Sequence, residues 1–124
     1  MGKYTDYIMK TAQDLLAVPS PSGFTHMAAE FVKKEFEKLG YEPQITQKGA
    51  VLVKLGGKDD KNAVVLAAHM DTLGGMVCSI NEKGRLMLSA LGGMNPNNAE
   101  AENCRVYTRS GKVYSGTFQL KNAS

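Results

Sequence analysis

The chain has 124 residues, with 15 Lys and Arg against 12 Asp and Glu (net charge +3), 43% hydrophobic and 22% charged residues, and two cysteines. Such a length suits one domain, or one domain and part of a second, and lets roughly two-thirds of the unfolded surface be buried. The composition excludes a disordered chain, the mild and scattered charge argues against a nucleic-acid partner, and no apolar run is long enough to span a membrane.

Cys78 and Cys104 do not make a disulfide framework. Reduced thiols, together with an N-terminus "MGKYTDYIMK" that matches neither a signal nor a transit peptide, point to a cytoplasmic protein. Gly2 is not a myristoylation site by pattern, because Asp6 stands where Ser or Thr is needed.

Residues 4–18 read as an amphipathic helix, with Tyr4, Ile8, Ala12, Leu15 and Leu16 on one stripe. Thr5 or Asp6 can cap its start. Pro19 stops it, because the residue before a proline is pushed out of the helical region. "VPSPSGF" is then a rigid turn, and Ser20 and Ser22 read as turn or cap residues. Neither has the Gly-x-Ser-x-Gly context of a nucleophile elbow. Residues 24–39 form a second helix along Ala28, Phe31, Val32, Phe36 and Leu39, ended by Gly40. Lys33, Lys34, Glu35, Glu37 and Lys38 mark its solvated face. His26, in its first turn, reads as an ordinary exposed histidine facing Glu30.

Residues 42–47 and 50–55 alternate and are expected to pair through a two-residue turn at Lys48-Gly49. "GGKDDKN" is an exposed loop. Residues 63–69, apolar on both faces, are expected to be a central strand covered from both sides. After Gly74-Gly75 the texture changes to short strands at 76–80, 85–90, 104–109 and 112–120, separated by "NEKG", "GGMNPNN" and "RSGK" with no helix. A boundary is therefore expected near residue 74, α/β before it and all-β after it. The two LGGM tetrapeptides, at 73–76 and 91–94, have unmatched flanks and are not a repeat.

The chemistry concentrates in "VVLAAHMDTLGGM", Val64 to Met76. Residues two apart on a strand face the same side, so His69 and Asp71 can aim at one spot while Met70 turns inward. Imidazole suits zinc, cobalt or manganese. A neighbouring Asp either accepts the other ring proton, which orients the ligand, or ligates directly. Gly74 and Gly75 leave room for close approach. Taken alone the tripeptide reads more readily as a capped strand end; at the end of a strand apolar on both faces and followed by Gly-Gly, the two readings weigh equally. Asp59 and Asp60 lie at the far end of the strand, Glu82 is in a turn, and Glu100 and Glu102 are in a polar loop. A catalytic zinc needs about three protein ligands, and no spacing here completes the set.

The order "LLAVPSPSGF", "AAHMDTLGGMV" and "GRLMLSALGGMNPNNAEAENCRVYTRSGKVYSGTFQL" resembles the tetrahedral aminopeptidases, the glutamyl-aminopeptidase and endoglucanase-M-like metallopeptidases. The resemblance runs through almost the whole chain. It implies the start of a mixed-sheet α/β zinc-peptidase catalytic domain at 1–73, with two helices and about three strands. Residues 74–124 would then be part of an inserted β-barrel-like dimerisation domain. It further implies His69 as a metal ligand, Asp71 as the catalytic-site carboxylate that orients it, and two divalent metals, zinc or cobalt or else manganese. Peptide substrates would lose N-terminal residues to an activated water. Dimers would build a shell of about twelve subunits, with no membrane or nucleic-acid partner.

Thr72 stands where many relatives carry Glu, and Thr25 and His26 stand where many have an acidic residue. Family members are also several times longer, and "QLKNAS" follows a strand without a closing element. The expectation is an N-terminal fragment that lacks the bridging Asp and the general-base Glu, is catalytically dead and metal-free alone, and exposes an edge through which it self-associates. The competing expectation is a non-catalytic β-rich binding or assembly module.

Overall fold

Helix α1 spans Thr5–Leu16 in a computed structural model that describes residues 2–59 and 61–121. Asp60 and the last three residues of "QLKNAS" lie outside the described residues. Neither Thr5 nor Asp6 caps α1: Tyr4 occupies the cap position and makes no side-chain bond. The Thr5 amide is met instead by the backbone carbonyl of Gly2, at 3.0 Å. The helix ends at Leu16, before the proline signal, and the Ala17 amide still reaches the Gln13 carbonyl at 3.1 Å.

Helix α2 spans His26–Lys38. Its C-terminus is built as the sequence anticipates. Gly40 takes φ +85, its amide bonds the Glu37 carbonyl at 2.9 Å, and the Tyr41 amide bonds the Phe36 carbonyl at 3.1 Å. This is a Schellman ending, in which a left-handed residue lets the chain turn back on orphan carbonyls. The Phe36 and Tyr41 rings seal it edge to face, centroids 6.1 Å apart. On the outer face Lys33 meets Glu37 at 2.6 Å, and Lys38 meets Glu35. Glu37 holds the Lys33 ammonium above its ordinary value, first through that hydrogen bond. The inner face carries the buried Ala28 and Ala29. Helix α2 packs against α1 and against the first hairpin.

That hairpin is shorter than its alternation suggests: β1 is Gln44–Ile45 and β2 is Val51–Leu52, antiparallel. Its connection is not the two-residue Lys48-Gly49 turn. Thr46 and Ala50 close a three-residue loop, with the Thr46 amide on the Ala50 carbonyl and the Gly49 amide on the Thr46 carbonyl, both 2.8 Å. Gly49 sits at φ +83, and the Thr46 hydroxyl accepts from the Ala50 amide at 3.1 Å. A left-handed third residue is what a three-residue hairpin demands.

The expected central strand is the main correction. Residues 63–71 make no ladder, and only Thr72 forms a bridge. Val64, Val65 and Leu66 are 87%, 78% and 86% exposed. The physical reason is that a strand exists only through hydrogen-bonded neighbours. A run apolar on both faces states a need for cover, and nothing among the described residues covers it. Accordingly the α/β part holds two helices and two short strands, and its mixed character is limited to one parallel bridge, Pro21 to Thr72.

The chain divides into two compact units, Met1–Leu73 and Gly74–Ser124. In the second, β3 (Gly74–Ile80) pairs antiparallel with β4 (Leu86–Leu91), with a bulge between Val77 and Ser79. Strand β5 (Asn103–Tyr107) pairs with β6 (Val113–Thr117). Both connections repeat the design of the first hairpin. Asn81 Oδ1 accepts from the Arg85 amide at 2.9 Å, and Thr108 Oγ1 accepts from the Lys112 amide at 3.0 Å. Gly84 and Gly111 take φ +75 and +81. The two hairpins form separate sheets, so a closed barrel is not made among the described residues. The expectation of no helix is corrected too. Pro96–Ala99 is a single 3-10 turn, capped by Asn95 Oδ1 from the Asn97 amide at 3.1 Å.

Candidate metal centre

His69 and Asp71 approach as their spacing suggests. His69 Nδ1 lies 3.2 Å from Asp71 Oδ1, while Met70 between them is half-buried. The His69 side chain is 87% exposed and that of Asp71 44%. With its proton on Nδ1 the ring donates to the carboxylate, and the lone pair of Nε2 faces outward. Such an arrangement suits a metal-binding imidazole, whose second nitrogen is held by a carboxylate.

The other oxygen of Asp71 carries the stronger bond. The Ser22 hydroxyl donates to Oδ2 at 2.7 Å, across 49 residues of sequence. Together the two donors hold the Asp71 carboxyl below its ordinary range, the Ser22 hydrogen bond first, with His69 adding to it. The backbone explains the meeting. The Thr72 amide donates to the Ser20 carbonyl at 2.7 Å, and the Ser22 amide donates to the Thr72 carbonyl at 3.3 Å. In a parallel bridge the residues flanking the paired position make both bonds, so Pro21 sits at the bridge without losing one.

Ser22 therefore does more than shape a turn, which is all its sequence context indicates. No local signal could have found it, because its partner comes from a non-local bridge. Ser, Asp and His also meet here in the wrong order for a serine hydrolase. There the imidazole takes the serine proton and the carboxylate orients the imidazole. At this site the serine proton faces the carboxylate, which stands between serine and ring.

The remaining candidates stay apart. His26 is exposed at the start of α2, its ring edge-on to Phe24 at 4.6 Å. Asp59 is engaged locally, accepting from the Lys61 amide at 2.9 Å and the Asn62 amide group at 2.6 Å. Glu100 accepts from the Leu120 amide at 2.8 Å. Among the described residues no group of three His, Cys, Asp or Glu side chains converges on one point. The residues present thus fit one ligand and its orienter, and do not make a complete metal site.

Known proteins place this pair in a wider setting. Residues 49–123, which include His69 and Asp71, match the M42 glutamyl aminopeptidase family. The chain is 34% identical over 116 residues to the protein YhfE of Bacillus subtilis strain 168, covering 94% of this chain and 34% of that one. It is 32% identical over 99 residues to the glutamyl aminopeptidase of Lactococcus lactis, covering 79% and 28%. With the lysyl aminopeptidase of Pyrococcus furiosus it shares 31% over 101 residues, covering 81% and 29%. The chain thus spans about a third of the length of the relatives it matches. Its fold matches a TET aminopeptidase from a marine-sediment thaumarchaeote with a TM-score of 0.83 at 25% identity, over 97% of this chain and 33% of that one. The TET1 peptidase of Pyrococcus horikoshii matches with a TM-score of 0.78 at 20% identity, over 94% and 34%. The chain belongs to the M42 glutamyl aminopeptidase family.

Proposed function

We propose that this chain is the N-terminal portion of a metal-dependent aminopeptidase, in which His69 ligates a metal through Nε2 and Asp71 holds the ring. The observation that carries this reading is the 3.2 Å contact of His69 Nδ1 with Asp71 on a side chain that is otherwise 87% exposed. It commits the Nδ1 proton to Asp71 and leaves the Nε2 lone pair for a metal. Two divalent ions, zinc or cobalt or else manganese, would supply a water activated for attack on the N-terminal peptide bond. The chain's own share is to fix one imidazole in its tautomer and direction. It carries one ligand where about three are needed, so the 124 residues alone are proposed to be inactive and to bind metal weakly.

The TET1 peptidase of Pyrococcus horikoshii can assemble into a tetrahedron or a large octahedral shell. By the shared fold, dimers of the longer protein are proposed to build a shell of about twelve copies acting on peptides. In that longer protein His69→Ala is expected to abolish release of N-terminal residues from an aminoacyl nitroanilide, with unchanged circular dichroism. A folded His69→Ala protein with the parent rate and metal content would refute the proposal. A parent protein that folds but releases no N-terminal residues would favour the rival reading, a β-rich binding or assembly module.

A further inference from the structure

We propose that Ser22 is the positioning residue of this site: its hydroxyl locks the Asp71 carboxylate in the plane from which Oδ1 selects the Nδ1–H tautomer of His69. The inference deepens the metal-ligand reading of His69 and takes its importance from that reading.

The argument begins with anchoring. The segment that carries His69 and Asp71 has no ladder from residue 63 to 71, so backbone pairing does not orient these side chains. Among the described residues its backbone is tied down at Thr72, by two bonds to the backbone of Ser20 and Ser22. The Ser22 hydroxyl extends that tie by one side chain.

A comparison of bond lengths then shows which donor sets the carboxylate. An aspartate turns freely about its last bond unless both oxygens are engaged. Ser22 Oγ is 2.7 Å from Oδ2, within the range of a charge-assisted hydroxyl-to-carboxylate bond. His69 Nδ1 is 3.2 Å from Oδ1, the long end for a nitrogen donor. The shorter bond comes from a half-buried residue beside the bridge, and the longer from a ring that is 87% exposed. Order therefore runs from Ser22 through Asp71 to His69. Ser22 touches neither metal nor substrate; it acts through Asp71.

The tautomer is the readout, since the nitrogen that carries the proton is set by the bond the other makes. It can be read without metal, from the ring nitrogen shifts of His69 in the purified chain. Ser22→Ala is expected to shift the Nδ1–H to Nε2–H ratio at least about threefold toward Nε2–H, as loss of one bond to an ionised partner implies. Ser22→Thr, which keeps the hydroxyl, is expected to restore the parent ratio. Ser20→Ala removes a buried hydroxyl that makes no hydrogen bond among the described residues, and is expected to leave the ratio unchanged. If Ser22→Ala does not fold, Ser22→Cys keeps a side chain of similar shape with only a weak donor and is expected to show the same shift.

An unchanged ratio in the folded Ser22→Ala or Ser22→Cys chain overturns the proposal, as does an equal shift in Ser20→Ala. The metal reading fails separately. If the tautomer responds to Ser22 but His69→Ala leaves the longer protein's activity intact, Ser22 still positions Asp71 and His69 is not the ligand.

Discussion

Asp71 stands between two donors of unequal strength, and its value to the site lies in accepting from both. Replacing it by Asn keeps the volume but makes one of the two acceptor atoms a donor. Whichever way the amide turns, a charged acceptor is lost: its NH2 faces either Ser22, whose hydroxyl must then reverse to accept in place of the charge-assisted bond at 2.7 Å, or His69 Nδ1 at 3.2 Å, where it favours the wrong tautomer. In the longer protein Asp71→Asn is therefore expected to weaken metal affinity or rate by about 10- to 100-fold, the usual effect of losing a ligand's orienting partner. Isothermal titration with zinc, beside the rate, checks this; parent affinity and rate together would contradict the orienting role. The closeness of the pair could be foreseen from its spacing of two residues, although residues 63–71 form no strand. Ser22 could not, since 49 residues separate it from its partner.

At the scale of elements, local chemistry reads well where one residue satisfies the backbone. Gly40 ends α2 because it alone enters φ +85 without a clash between Cβ and backbone. A Cβ at Gly40 would meet nothing within 4 Å, so the cost of an added methyl is conformational and not steric crowding. Gly40→Ala is expected to destabilise the chain by about 1 kcal/mol in urea melts. Gly57→Ala, at a position with negative φ and equally open space, is expected to be neutral or slightly stabilising. Equal effects of the two substitutions would show that the Schellman ending does not stabilise α2. The hairpin loops teach a related point. Thr46, Asn81 and Thr108 each receive the amide four residues on, and a left-handed glycine follows three residues after each. Counting only the Lys48-Gly49 pair misses the threonine that closes the loop.

At the scale of the whole molecule the notable feature is how little is buried. Ala28 and Ala29 are the buried apolar residues of the described core, while Val64, Val65 and Leu66 face solvent. Tyr7, Phe31 and Leu39 also line an open apolar groove between α1 and α2. Apolar surface of this kind drives association. Purified chain is expected to show a concentration-dependent mass above the monomer by light scattering, and Val65→Lys to reduce it. A monomer at all concentrations would count against this. No helix among the described residues is long and apolar enough to cross a membrane, so the exposed run at 64–66 is not part of a helical span.

The sequence by itself determined both helices, the Gly40 ending and the turn glycines. Each follows from the period of one segment or from the conformational limits of one residue. The tertiary structure alone decided that residues 63–69 form no ladder and that Ser22 meets Asp71. Both depend on which distant segment lies alongside. An apolar run records that cover is needed but not whether it is present, and a serine in a turn carries no mark of the carboxylate that a bridge through Thr72 brings to it.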